Sequence, residues 1–482
     1  MPRDVRWVLL GVMLAMLLSM LDNMVVSTAM PTIVGDLGGM ASLSWVVTIY
    51  ALVTAVTTPV WGKFGDLFGR KRMYLASIAF FMAGSALCGA AASMGMLIAA
   101  RALQGIGAGG IGAGAFALIA SLVPPRERGK YQGLTASVMA IGTIGGPLLG
   151  GFVTDHLSWR WAFWINLPLG LITLVWISVL LRLPAQRVKA RIDWTGIGLL
   201  GAAISALVLG TTWGGDRYAW GSWQIAALGV VAALSLAGFI AVERRVAEPV
   251  LPLRIFTGHR NFPLSIGIIF AVGAITLGAG LYLPLFQQTV QGASAANSGL
   301  LMVPMMLPVL VVSTIAGKVM SASGRYRIFP IVGTALMAIG LALLATMSAD
   351  TPRLLIGCYM VILGAGLGQC MQMAGTIAQN SVEMRDLGVA SSSLNLFRSV
   401  GGSIGVAIFS ALFNHALSSH NGHVEVDSFV DGTRYIFLLA AALAAVACVA
   451  AFFVIEVPLR KGPPTAKPST PEPAADPTPS AS

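Results

Sequence analysis

A basic, glycine-rich segment that occurs twice decides the fold of this chain. Residues 62–72 read GKFGDLFGRKR and residues 317–327 read GKVMSASGRYR, so Gly, Lys, Gly, Arg and Arg recur at an offset of 255 residues. The same offset relates Gly146 to Gly401. Two independent pairs of landmarks at one offset indicate that the chain contains two copies of one structural unit.

Both copies lie among long apolar runs. The chain of 482 residues is 56% hydrophobic and only 10% charged, and its mean hydropathy is +0.81. A soluble domain carries roughly 25% charged residues, so this composition excludes a cytosolic enzyme and a disordered regulator. Runs long enough to span a bilayer, about 20 residues each, lie near 7–29, 44–63, 73–93, 96–121, 132–154, 161–181, 194–212, 223–242, 262–288, 299–317, 328–348, 353–377, 388–412 and 434–456. We therefore predict an all-α integral membrane protein with 14 transmembrane helices, because barrel strands would alternate apolar and polar residues.

The basic residues orient these helices. Of the 30 Lys and Arg residues, 24 fall in one alternating set of connections and four in the other, while Arg101 and Arg398 fall inside apolar runs. Cytoplasmic loops carry the excess of Lys and Arg, so both termini are predicted to be cytoplasmic. The same clusters account for the net charge of +11. They form no continuous basic face, so we expect no nucleic-acid partner.

The repeat divides the chain into four predicted segments. Residues 1–182 form one six-helix half, 183–261 contribute two inserted helices, 262–461 form the second six-helix half, and 462–482 form a Pro-rich disordered tail. Two halves in the same orientation are the layout of transporters that rock around a midplane site.

No motif for enzymatic chemistry accompanies this layout. The three Gly-Lys pairs, at 62–63, 129–130 and 317–318, lack the Ser or Thr that follows in a phosphate-binding loop. We find no metal-ligand cluster, and the histidines of the loop 414–432 are interpreted as solvated. The sequence thus predicts a transporter without a cofactor or a metal, energised by an ion gradient or by the gradient of its own substrate.

Asp22 is the acidic residue that lies well inside a predicted span. A charge there is costly and is a functional candidate by default. At 1.5 Å per residue, Asp22 and Arg101 reach nearly the same depth in the outer half of the membrane. The pair is either a static ion pair or a proton-coupling site, in which Arg101, water access and bound ligand set the proton affinity of Asp22.

Further polar residues inside or at the ends of the spans are candidates for lining a substrate cavity. Arg398 lies near the midplane with Asn395 one turn before it, and it either anchors the helix or faces a cavity. The candidate cavity residues are Asn23, Gln104, Gln288, Gln372, Asn395 and Arg398.

A small-residue pattern marks the fifth predicted span. Gly142, Gly146 and Gly150 recur at intervals of four and would fall on one helix face, where they allow a neighbouring helix to approach closely. Pro147 bends the helix and Gly151 follows the pattern.

These segments resemble the signature motifs of the major facilitator superfamily. Residues 62–72 resemble its loop motif after span 2, 101–107 its span-4 arginine motif and 142–151 its antiporter motif. Residues 21–31 resemble the span-1 motif of drug exporters. Three further stretches, 159–170, 193–196 and 282–299, are similar to those of fourteen-span bacterial drug:proton antiporters. The resemblance covers roughly residues 7–456.

The resemblance implies a bacterial cell-membrane exporter that works as a monomer. It implies that Gly62, Asp66, Gly69 and Arg70 form a gate, with Asp66 docking at the N-terminal end of span 13 when the inside is closed. Such a dock is physically sensible, because a helix N-terminus attracts an anion. The sequence departs from the family at Leu67, where many relatives have arginine, and spans 10 and 13 lack the carboxylates of some multidrug relatives.

We therefore predict proton-coupled efflux of a small hydrophobic drug or antibiotic. Because Asp22 is the one carboxylate expected within the membrane, neutral and monocationic compounds are the expected substrates, and dications are not. One alternative is the export of an endogenous metabolite. Another is a membrane sensor or scaffold without transport activity, although it would need a signalling domain.

Overall fold

The structure is a computed structural model that describes most of the chain. The described residues are 3–38, 43–124, separate positions between 127 and 153, 156–181, 192–215, 217–246, 249–293, 301–418 and 426–457. This part of the chain consists of helices, connecting turns and one isolated β-bridge between Gly214 and Tyr218. The predicted tail, 462–482, lies outside it.

The described part of the chain contains fifteen named α-helices, α1 to α15 in chain order. They are α1 (Arg3–Leu37), α2 (Leu43–Phe68), α3 (Arg70–Gly89), α4 (Met94–Leu122), α5 (Trp161–Trp164), α6 (Asn166–Leu180), α7 (Trp194–Trp213), α8 (Trp223–Glu243), α9 (Arg254–Gly258), α10 (Asn261–Thr289), α11 (Val303–Ser323), α12 (Ile328–Leu344), α13 (Arg353–Asn380), α14 (Leu387–Ser418) and α15 (Val426–Phe452). A 3₁₀ turn, Met384–Asp386, precedes α14. Side chains cap several helices, as Ser93 does when it accepts a hydrogen bond from the amide of Met96 at the start of α4.

Twelve helical segments of the described chain are long and apolar enough to cross a membrane, and α5 and α6 together make one of them. A further apolar helix, α12, is shorter, at 17 residues. The predicted run 132–154 falls where the structure describes only separate positions, which are helical. The count of 14 and the cytoplasmic location of the termini therefore remain predictions.

The described helices pack in two groups, and α14 makes the most extensive contacts between them. In the first group α4 packs against α2 and α3, and α1 packs against α6. In the second group α10 packs against α14, and α13 packs against α11 and α12. The groups meet where α14 lies against α2 and α4. This arrangement leaves space between the groups for a central cavity.

The two copies of the basic segment share a backbone feature. Gly69 follows α2 and Gly324 follows α11, and their φ angles are 97° and 73°. Glycine adopts this left-handed region without the steric cost that a side chain would add. The repeat therefore places a glycine with positive φ after the second helix of each group, although the ψ angles of the two residues differ, at 127° and −2°.

The inserted helices α7 and α8 form a hairpin at the side of the bundle. They pack against each other, and α7 also contacts α2 and α14. Large apolar side chains of α8 face outward, with Trp223 and Leu234 exposed by 75% and 68%. Such exposure is favourable where the surrounding medium is lipid.

Candidate functional site

A buried ion pair lies between α1 and α4. Arg101 Nη1 donates to Asp22 Oδ2 at 2.7 Å, and both side chains have no exposed surface. Arg101 Nε also donates to the carbonyl oxygen of Val46 at 3.3 Å. The bond to Asp22 is charge-assisted and short, and such bonds are among the strong hydrogen bonds in proteins. The structure thus brings together the two residues predicted to couple protons.

Two amides complete the coordination of the Asp22 carboxylate. Its Oδ1 accepts from Gln104 Nε2 at 2.8 Å and from Asn166 Nδ2 at 2.7 Å. Gln104 Oε1 in turn accepts from Arg101 Nη1 at 2.8 Å. We call Asp22, Arg101, Gln104 and Asn166 the carboxylate cluster. One oxygen of Asp22 is therefore held by neutral donors and the other by a charged one.

Tyr50 contacts both the carboxylate cluster and a cavity between the two helix groups, called the central cavity below. The centre of its ring lies 3.9 Å from the guanidinium carbon of Arg101, which is a cation–π contact. Its hydroxyl is 3.2 Å from Ser19 Oγ. Tyr50 and Ser19 also line the central cavity, whereas Asp22 and Arg101 are absent from its described lining.

The central cavity has a volume of about 430 Å³, which is enough for a drug-sized molecule. Its walls come from α1, α2, α4, α7, α10, α13 and α14. The cavity shares Leu277 and Ser403 with a second one of about 570 Å³, which extends to Tyr282 and Asn414 near the predicted outer end of the bundle. The second cavity therefore lies next to the central cavity, on the side of that end.

Arg398 and Asn395 lie on the α14 wall of the central cavity. Arg398 Nη2 donates to Asn395 Oδ1 at 3.2 Å. In the described part of the chain Asn395 Nδ2 is buried without a hydrogen-bond partner. Both residues also line a smaller cavity of about 50 Å³, together with Gln372. They therefore lie at the junction of two cavities.

The opposite end of the bundle is closed by Asp66. Its Oδ2 accepts from the amide of Val389 at 3.0 Å and its Oδ1 from the amide of Gly388 at 3.2 Å, at the start of α14. Arg70 Nη2 donates to Asp66 Oδ1 at 2.8 Å. An anion at a helix N-terminus is stabilised by the free amides and the helix dipole. We call this contact the Asp66 latch.

Two further features hold the latch end together. A Cβ atom added to Gly62 would lie 2.8 Å from the carbonyl oxygen of Gly388, so α2 and α14 touch there through glycine. Arg254 Nη2 donates to Asp386 Oδ1 at 2.8 Å and joins α9 to the turn before α14. The structure therefore presents a conformation in which α2 and α14 are in contact at the Asp66 end, while the second cavity lies towards the Asn414 end.

Two residues predicted for the cavity lie elsewhere. Gln104 is fully buried in the carboxylate cluster, because it follows Arg101 by three residues and shares its helix face. Gln288 is an exposed residue one position before the last of α10, and it lies outside the described cavity walls. Asn23, Gln372, Asn395 and Arg398 do line cavities.

The small residues of the antiporter motif lie against α1. A Cβ atom added to Gly142 would lie 2.8 Å from Met20 Cβ, and one added to Gly146 would overlap Met24. Gly150 is buried. Pro147 and Gly151 lie outside the described residues. In the second half Gly401 makes the related close approach to Phe270 of α10.

The sequence interpretation missed two residues of the site. Asn166 lies within the stretch 159–170 and was given no role of its own, although an amide in an apolar helix signals a polar partner. Tyr50 lies one and two turns before Thr54 and Thr58, and this polar stripe at intervals of four marks the cavity face of α2. Among the described residues, no group of three His, Cys, Asp or Glu side chains is arranged to hold a metal ion.

The fold and the site together define a multi-pass helical membrane transporter. The sequence profile of the Major Facilitator Superfamily matches residues 12–406, and the chain belongs to this superfamily. The human organic anion transporter MFSD10 has the same fold, with a TM-score of 0.68 over 94% of this chain and 100% of that one. At 13% identity this likeness shows the fold alone.

Two bacterial relatives are much closer in sequence. An uncharacterized MFS-type transporter of Mycobacterium tuberculosis is 45% identical over 398 residues, which are 83% of this chain and 58% of that protein. The present chain therefore spans less than two thirds of the length of that relative. The multidrug transporter protein MdtP of Bacillus subtilis is 37% identical over 422 residues, 87% of this chain and 76% of its own length.

Proposed function

We propose that this protein is a fourteen-span drug:proton antiporter that exports hydrophobic, drug-like molecules from a bacterial cell. The observation that carries the proposal is the buried Asp22–Arg101 pair, since Tyr50 both contacts Arg101 and lines a cavity of about 430 Å³. The similarity to a multidrug transporter supports the cargo class. The 12 candidate spans, the shorter helix α12 and the helical positions of 132–154 support the count of 14.

Asp22 is the proposed proton carrier. Protonation would remove its charge and with it the strong hydrogen bond to Arg101, whose guanidinium stays charged. A buried charge that loses its partner is destabilised by about 3–5 kcal/mol, so the packing around Arg101 must then change. Tyr50 contacts Arg101 and also lines the cavity. A change in the packing around Arg101 would therefore move a side chain of the cavity wall where the cargo binds.

The structure bears on the premise of the charge preference expected from the sequence. That expectation relied on Asp22 as a counter-ion for a cationic drug. In the structure the Asp22 side chain has three protein partners and is fully buried, and the described cavity wall does not include it. The carboxylate is therefore unavailable to cargo in this conformation. Proton coupling does not depend on that second role.

Replacing Asp22 by asparagine tests the coupling. Asp22→Asn keeps the size of the side chain but removes the titrating charge, so cargo binding should persist and proton-driven efflux should be abolished. The measurement is cargo-induced proton release from acidified everted vesicles, with chloramphenicol, ethidium and nalidixate as probes. Asp36→Asn makes the same change on α1 in a partly exposed pair with Arg160, and it should behave like the wild type.

Wild-type efflux in Asp22→Asn would reject Asp22 as the carrier. Absence of proton release by the wild type with all three probes would reject drug:proton antiport altogether. A sensor or scaffold would give that second result.

A further inference from the structure

The central cavity carries a positive charge. Arg398 is the one charged side chain among the described residues that line the cavity of about 430 Å³ and the smaller cavity beside it. Asp22 and Arg101 compensate each other in a separate, fully buried pair. The charge that a bound molecule meets is therefore that of the Arg398 guanidinium, which remains protonated in proteins.

Arg398 has no acidic partner in the described part of the chain. Its recorded hydrogen bond is to the neutral Oδ1 of Asn395, and it takes part in none of the ion pairs of that part. A guanidinium has five N–H donors in a planar fork, and one of them is occupied here. Unpaired charges inside membrane helices are costly and usually face a cavity or a ligand.

Asn395 adds a second unsatisfied donor at the same place. Because its Oδ1 accepts from Arg398, its Nδ2 is the free end of the amide, and this atom is buried without a partner. A buried donor without a partner destabilises the empty protein. The two side chains lie one turn apart on α14 and both border the cavity. The site therefore offers several hydrogen-bond donors and one positive charge, and it lacks an acceptor of matching charge.

We propose that the cargo is a hydrophobic carboxylic acid whose carboxylate is bound by Arg398 and Asn395. The inference deepens and rests on the proposed export function. Guanidinium and carboxylate match in a bidentate geometry, and the Asn395 amide supplies a further donor. The apolar part of the acid would contact Met16, Met20, Leu277 and Met371 on the other walls.

Matched ligands test this assignment without a proton gradient. Nalidixate and its carboxamide have nearly the same shape, but only the acid is charged in alkaline buffer. Isothermal titration of the purified full-length protein in nanodiscs should give a dissociation constant about ten- to a hundredfold lower for the acid, the usual value of a charge-assisted hydrogen bond. Ethidium, a monocation, should bind more weakly than the acid.

Three variants test whether Arg398 and Asn395 produce the preference for the acid, and a fourth variant is the control. Arg398→Gln should reduce the ratio between the two ligands to about one, and Arg398→Lys should retain part of it. Asn395→Asp adds a carboxylate beside Arg398 with almost no change in size, so it should compete with the acid and abolish the preference. Arg217→Gln removes an arginine that contacts Trp213 and Tyr218 outside the described cavity walls, and it should leave the ratio unchanged.

The outcomes separate this inference from the proposed function. Equal binding of acid and amide by the wild type, tighter binding of ethidium, no binding of the acid, or an undiminished acid preference in a folded Arg398→Gln would each overturn the anionic cargo. An equal loss of affinity for the acid and the amide in Arg398→Gln would instead indicate that Arg398 anchors the helix. That result would also overturn the anionic cargo. An acid preference that requires Arg398, without proton release in vesicles, would keep the binding site and reject antiport.

Discussion

Tyr50 is the residue through which the cavity and the carboxylate cluster meet. Its ring covers the Arg101 guanidinium at 3.9 Å, and its hydroxyl lies near Ser19 at the cavity wall. Contacts of this kind contribute about 0.5–2 kcal/mol. We expect the ring, more than the hydroxyl, to keep the buried pair away from the contents of the cavity.

Two substitutions separate these contributions. Tyr50→Leu removes the ring and should raise the proton leak of proteoliposomes in the absence of cargo, because the Asp22–Arg101 pair becomes reachable. Tyr50→Phe retains the ring and should leak no more than the wild type. The leak is measured with an internal pH-sensitive dye after an acid jump. Equal leaks in Tyr50→Leu and the wild type would show that the ring does not isolate the pair.

Sequence reasoning reached part of this site. Counting residues along two helices gives similar depths for Asp22 and Arg101, and the structure has them in contact. It could not distinguish the partners of Gln104, because helical spacing gives the face of a residue but not the neighbour opposite. Tyr50 was missed because an aromatic residue in an apolar run is usually a packing residue.

At the scale of helices, the approach of α2 to α14 depends on the absence of a side chain at Gly62. A methyl group there would meet Ser392 and the backbone of Gly388. Overpacking of this kind costs about 1–3 kcal/mol. Gly62→Ala should therefore disfavour the conformation closed at the Asp66 end. Gly65→Ala is the matched control, because the nearest atom to the added methyl would be Arg70 Cγ at 3.9 Å.

Spin labels at two exposed positions of this end, Arg72 and Arg385, report the change. In a cysteine-free background, Gly62→Ala should widen the distance distribution between the labels and Gly65→Ala should not. Matching distributions in the two variants would mean that the glycine contact does not hold the end closed.

The Asp66 latch predicts a related change. Asp66→Asn retains one acceptor oxygen but loses the charge that the α14 N-terminus and Arg70 stabilise, an effect of about 1.5–3 kcal/mol for hydrogen bonds to charged groups. The ratio of closed to open molecules should fall about tenfold or more, measured with the same label pair. Ser321→Ala changes the residue related to Asp66 by the repeat and should leave the distribution unaltered. A closed population equal to the wild type in Asp66→Asn would exclude the latch.

At the scale of the whole molecule, the internal repeat at an offset of 255 residues was the most informative feature of the sequence. It predicted two copies of one structural unit, and the related residues Gly69 and Gly324 both have positive φ. It did not predict where the inserted helices pack, because their apolar surface has no preferred face in the sequence. In the structure α7 contacts both groups and contributes Val208, Thr211 and Thr212 to the cavity walls.

The predicted topology can be tested with reporter fusions. Alkaline phosphatase fused after Arg217 or Gly292 should be active, because both positions are predicted to lie outside. Fusions after Arg245 or Gly324 should be inactive, and a fluorescent protein at these two positions should fluoresce. Phosphatase activity after Arg245 would show that α8 does not return to the cytoplasm and would exclude fourteen spans.

The two repeats close the Asp66 end unequally. The first loop contributes a carboxylate that binds the start of α14, whereas the related residue of the second loop, Ser321, is uncharged and donates to Gly317 within its own helix at 2.9 Å. If opening at this end requires the Asp66 latch to break, the rate of opening depends chiefly on the Asp66 carboxylate. Turnover number could then evolve through residues 62–72 while the affinity for cargo stayed constant, so related pumps could share a cargo and differ in speed.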